Sequence, residues 1–112
     1  MHEILRLIND AQQGNDISPD RFAKALEIEL REVERCAGVE PQTARLNPTS
    51  EVLQEYLRAS LLVILTLAKE TLDPDRAMFF FKYMPIEGMS HKTPQRLVTE
   101  GRAVDVLLWM SL

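Results

Sequence analysis

Apolar residues recur along the chain at helical intervals, and residues that start and stop helices stand between them. Ile4, Leu5, Leu7 and Ile8 make one stripe in a first segment from His2 to Gln13, which Gly14-Asn15-Asp16 stops, since glycine and asparagine tolerate the left-handed turn of a helix end. Ser18-Pro19-Asp20 opens a second segment: the serine caps free amides, proline suits the first helical position, and the acid meets the positive end of the dipole. That segment turns Phe22, Ala25 and Leu26 inward. A third, from about Glu29 to Ala37, gathers Leu30, Val33 and Cys36 on one face before Gly38. Pro41 to Pro48 reads as a connecting loop. Asn47-Pro48-Thr49-Ser50-Glu51 then supplies capping side chains for a long fourth helix, apolar nearly all round from Leu53 to Ala68 and therefore expected at the centre. Asp73-Pro74-Asp75 begins another helix, running through Arg76 to Met84 until Pro85 and Gly88 break it. Thr93-Pro94-Gln95 begins a short one ending at Gly101, and Arg102 to Leu112 forms the last. The expectation is an all-α fold, a compact bundle of seven helices around a central apolar helix.

A chain of 112 residues, with 46% apolar and 27% charged residues, has the balance of an ordinary globular protein. It needs neither disulfides nor metal to fold. Cys36 is the single cysteine, which fits a reducing compartment. His2 and His91 are the only histidines and neither stands at ligand spacing from Cys36, so no metal site is expected. The start, Met1-His2-Glu3, does not read as a secretory signal. The longest apolar run, Ala59 to Ala68, is about half of what a membrane span needs. A cytoplasmic location is expected. The net charge of −4 speaks against nucleic acid as the main ligand unless cations gather on one face.

Residues 19 to 38 carry a helix-turn-helix pattern. Phe22 and Leu26 face the core, Ala23 is small where the second helix approaches, Ile28 sits in the turn, and Val33 and Cys36 pack back on the first helix. Glu27 occupies the turn position that glycine prefers. Arg31 and Arg35, one turn apart, are the candidate DNA contacts. Glu29, Glu32 and Glu34 share their helix, so pairing between these arginines and the glutamates is the competing expectation.

The C-terminal third carries a more specific signal. Leu72-Asp73-Pro74-Asp75-Arg76-Ala77 is followed by Phe80, then by His91-Lys92-Thr93-Pro94-Gln95-Arg96-Leu97-Val98, Gly101, and an apolar Val104, Leu107 and Leu108. This stretch resembles the toxin-binding domain of the Xre/MbcA/ParS antitoxin family. The segment from Ile17 to Val39 resembles the Xre-type helical part of the same proteins, so the likeness covers most of the chain. Two departures stand out: Phe80 takes the place of a tryptophan, and Met84 to Met89 replaces a Pro-Asn turn. The resemblance implies an Xre-like helix-turn-helix region at 1–48, a central connecting helix at 49–71 and an antitoxin-type domain at 72–112. It implies a type II antitoxin that is not an enzyme and binds no cofactor. Its partner would be a RES-domain toxin that degrades NAD, held inactive by an antitoxin covering its active site.

The residues themselves point the same way. Val104, Val106, Leu107, Leu108, Trp109, Met110 and Leu112 crowd the end of the chain, more than one helix can bury against its own domain. Trp109, Met110 and Leu112 are the candidate apolar anchors, with Lys92 and Arg96 as candidate polar contacts. Phe79-Phe80-Phe81 cannot all enter one core, because neighbouring positions on a helix are about 100° apart. One phenylalanine facing outward favours a homo-oligomer, most simply a homodimer. The alternatives are a helix-turn-helix repressor with a helical dimerisation tail, and a stand-alone family member that regulates another protein. No Ser/His/Asp or Cys/His set is spaced for catalysis.

Overall fold

A computed structural model describes residues 2–112 and contains, among them, eight helices. These are α1 (Glu3–Gln12), α2 (Pro19–Leu26), α3 (Leu30–Ala37), α4 (Thr43–Leu46), α5 (Glu51–Thr71), α6 (Pro74–Tyr83), α7 (Pro94–Thr99) and α8 (Ala103–Met110). The only β-pairing among the described residues is an isolated bridge between Ile86 and Lys92. The all-α bundle expected from the pattern is the fold. No helix among these residues is long and apolar enough to cross a membrane.

α5 is the axis. Leu53, Tyr56, Leu57, Leu61, Val63, Ile64 and Leu67 are buried around its circumference, where α1, α3, α6, α7 and α8 all pack against it. One continuous core therefore joins Ile4, Leu7, Phe22 and Val33 from the first half to Phe81, Leu97 and Val106 from the second. Burial of such large side chains stabilises a fold by roughly 1.5–3 kcal/mol each before chain entropy is subtracted.

Three of the helix starts are capped as their sequences dictate. Ser18 accepts a hydrogen bond from the Arg21 amide, Asp73 from the amides of Asp75 and Arg76, and Thr93 from the Arg96 amide. α5 is different. Ser50 occupies the cap position, but its side chain makes no capping bond, contrary to the expectation. Here the chain is held by Gln54, whose buried amide group accepts from Ile17 N at 2.8 Å and donates to Ile17 O at 2.7 Å and to Pro48 O at 2.9 Å. One side chain thus supplies a strand-like pair of bonds to the α1–α2 link and fastens the approach to α5.

The expected loop from Pro41 to Pro48 contains an extra helical turn, α4, so the count is eight and not seven. Its cause lies ten residues upstream. Glu34 on α3 is buried, and its Oε2 accepts from the Ala44 amide at 2.9 Å, so a distant carboxylate caps a segment that has no local cap of its own.

α2 and α3 form the expected tight pair. Phe22, Ala23, Leu26, Val33 and Cys36 are buried and Ile28 is half-buried in the turn. Glu27 adopts the left-handed conformation (φ 57°, ψ 44°), and the α2 end is closed by bonds from Ile28 N to Ala23 O and from Glu27 N to Lys24 O. α3 ends the same way at Gly38 (φ 74°), where the geometry is free of the side-chain crowding that Glu27 bears.

Replacing Gln54 with leucine leaves Ile17 N–H and C=O buried without partners. A loss of about 3 kcal/mol is expected in urea unfolding. A loss below about 1 kcal/mol would show that this bridge is dispensable.

Candidate functional site

The last helix cannot hide its apolar surface. Val106 is fully buried and Leu107 and Met110 partly so, while Val104, Leu108 and Leu112 are exposed and Trp109 remains 44% exposed. Trp109 therefore does not close the core; it forms one lip of a groove. The groove, of about 580 Å³, runs between the C-terminal end of α5 (Leu67, Glu70, Thr71), the Phe80 and Met84 end of α6, Ile86, Pro94 and the Trp109, Met110, Leu112 side of α8. Among its lining residues Glu70 alone is charged. This carboxylate takes part in no ion pair among the described residues.

Local sequence explains the shape. Gly101 (φ 79°) lets the chain reverse between α7 and α8, with Arg102 N bonded to Leu97 O and Gly101 N to Val98 O. α8 is thereby laid back against α5 with Val106 inward. On the opposite wall Pro85 ends α6, and Ile86, buried and bonded from its amide to Lys92 O at 2.9 Å, holds the following loop in place. Phe81 enters the core, Phe80 is half-buried in the groove wall, and Phe79 faces outward.

Trp109, Met110 and Leu112 are thus brought together on one surface. Lys92 and Arg96 are not part of that lining. Both converge on Glu100: Lys92 Nζ lies 2.8 and 2.9 Å from its two carboxylate oxygens and Arg96 Nε lies 2.9 Å from one of them. Lys92 first, then Arg96, holds the Glu100 carboxyl below its ordinary 4.5. These cations are already neutralised within the chain. The groove walls contributed by Leu67, Glu70, Met84 and Ile86 were not picked out by periodicity. The nearest signal was the end of the apolar run at Ala68 and the apolar pair flanking Pro85.

Arg31 and Arg35 lie elsewhere, on α3. Arg31 Nε is 3.1 Å from Glu29 Oε2, and Arg35 makes a two-pronged pair with Glu32, with Nε at 3.0 Å from Oε2. Arg35 holds the Glu32 carboxyl below its ordinary range. Lys82 and Tyr83 at the end of α6 line the same depression as these side chains, and Arg31 and Arg35 remain largely exposed beside it.

Two further polar features are internal. Burial pushes the Cys36 thiol and the Tyr56 phenol up, which keeps both protonated and Cys36 a weak nucleophile. Among the described residues no group of His, Cys, Asp and Glu is arranged to hold a metal ion. No family model, no curated protein and no solved structure matches the chain.

Because the folded Glu100 carboxyl is held below its unfolded value, its contribution is complete above about 4.5 and fades as pH falls through the depressed value. Stability measured by urea unfolding between about pH 5 and about pH 3 is expected to fall less steeply in Glu100→Gln than in the parent chain. Identical slopes would mean that the Lys92–Glu100–Arg96 cluster is fully screened by water.

Proposed function

We propose that the chain is an antitoxin-type binding protein. In this reading it silences a RES-domain, NAD-degrading toxin by docking the α8 side of its groove over the toxin's active-site cleft. The observation that carries the reading is the apolar groove with Trp109, Met110 and Leu112 on its rim. It supports recognition of another protein because large exposed aromatic and aliphatic anchors around a preformed depression are the usual core of an interface. The residue pattern of 72–112 supports the choice of partner, as it resembles the toxin-binding domain of Xre/MbcA/ParS antitoxins.

Lys92 and Arg96 brace α7 through Glu100 and, still exposed in part, are in this reading secondary polar contacts beside the apolar anchors. Arg31 and Arg35, each matched with a glutamate, leave no cationic face on α3 of the kind that phosphate neutralisation requires. Repressor activity through that helix is therefore the weaker reading.

The test clones any RES-domain enzyme encoded near the gene, the lack of one there counting against the reading, pairs it with the chain and follows NAD loss. The parent chain is expected to suppress NAD loss at near-equal molar amounts. Trp109→Ala and Leu112→Ala, both at exposed positions, are expected to weaken the complex by about 2 kcal/mol or more while the free chain keeps its melting temperature. NAD loss unaffected by excess folded chain would overturn the proposal. Equal loss of binding and of free-chain stability would make Trp109 a structural residue.

A further inference from the structure

The groove beside α8 is concave, so a partner that meets it has to send a segment in. Its volume of about 580 Å³ suits several side chains. Its floor is apolar: Leu67, Ile86, Pro94 and Val106 are buried there and Phe80 is half-buried. Two polar side chains enter the lining from the last turn of α5, and their states differ. Thr71 is used up within the chain, its Oγ1 donating to Leu67 O at 2.9 Å and lying 3.1 Å from Asp73 O. Glu70 is exposed and joins no ion pair among the described residues.

That charge identifies what enters. Glu70 stands at the C-terminal end of α5, where the last carbonyls of a helix already create negative potential. Lys69 and Arg76, the cations nearest in sequence, are both outside the lining and neither pairs with Glu70. Arg76 is held over the Phe80 ring, 5.9 Å from its centre. An acidic segment in the groove sets like charges together beside apolar walls. A neutral one strips water from the carboxylate and gives it no partner.

We infer that the groove receives an apolar peptide segment of the partner that carries one lysine or arginine, and that this cation pairs with Glu70. The stem of such a side chain lies along an apolar wall while its head reaches a carboxylate at the edge. A groove with an apolar floor and a single acid matches both parts. The inference rests on the reading that this groove faces the partner, and it holds whether or not that partner is a toxin.

The full chain carries its own reporter. Trp109 is its single tryptophan and stands on the groove rim, so its fluorescence follows occupancy of this groove. The titrants are three tryptophan-free amphipathic peptides of about 14 residues, roughly four helical turns. They are identical but for a lysine, a glutamine or a glutamate beside a leucine stripe. The lysine peptide is expected to shift Trp109 emission to the blue and to bind about tenfold tighter than the glutamine peptide, with the glutamate peptide weaker still. In Glu70→Gln the lysine and glutamine peptides are expected to bind alike. In Glu51→Gln, which removes the same charge from the opposite end of α5, the preference is expected to stay. Both positions are exposed, and both variants are expected to keep the parent melting temperature. Unchanged Trp109 emission with every peptide, equal affinities on the parent chain, or a lysine preference that survives Glu70→Gln would overturn the inference. Suppression of NAD loss tests the toxin reading separately, since no peptide result depends on the enzyme.

Discussion

A helix with apolar side chains round most of its circumference exists in water only where other helices cover it. α5 is such a helix, 21 residues long and buried on several faces, and the remaining elements are arranged to enclose it. α1 and α3 cover it from the N-terminal half and α6, α7 and α8 from the C-terminal half. Hence the two halves share a core and neither half of the sequence alone could bury α5. Gln54 adds direction to this otherwise non-directional packing. By bonding both backbone groups of Ile17 it sets how the α1–α2 layer approaches the axis.

The same constraint produces the exposed surface. Once Val106 has covered the end of α5, Leu107 and Met110 find only partial cover at the edge of the core, and Val104, Leu108, Trp109 and Leu112 are left exposed. α6 behaves likewise: Phe81 is spent on the core, Phe80 on a groove wall, and Phe79 on the outer face. Two apolar surfaces thus arise about 100° apart on one short helix. The proposed partner groove and the exposed Phe79 face follow from having more apolar residues than one axis can receive.

Much of this architecture was legible in the sequence, because helix starts at Ser18, Asp73 and Thr93 are set by side chains acting on amides two or three residues away. The turn at Glu27 was legible from the apolar spacing of residues 19 to 38 on either side of it, and not from Glu27 itself, which takes a left-handed position that favours glycine. α4 was not, since its cap is Glu34, brought near by the α3 turn. The failure of Ser50 to cap α5 was equally invisible, as the work falls to Gln54 and its bonds to Ile17, far away in sequence. At the candidate site, the crowding of α8 announced a surplus of apolar residues. Periodicity could not say which of them remain outside, because nearly every position of that helix is apolar. The pairing of Arg96 with Glu100 is a local i,i+4 contact; the addition of Lys92 needed the loop from Met84 to Thr93 to fold back.

The central claim is that the groove bordered by α5, α6 and α8 is the face that meets the partner. Methyl NMR spectra of the labelled chain, recorded with and without the RES-type enzyme, test it most directly. Shifts concentrated at Leu67, Met84, Ile86, Met110 and Leu112 are predicted, with Val33 and Ile28 unchanged. Shifts confined to the α2–α3 side, with the groove methyls silent, would contradict the account.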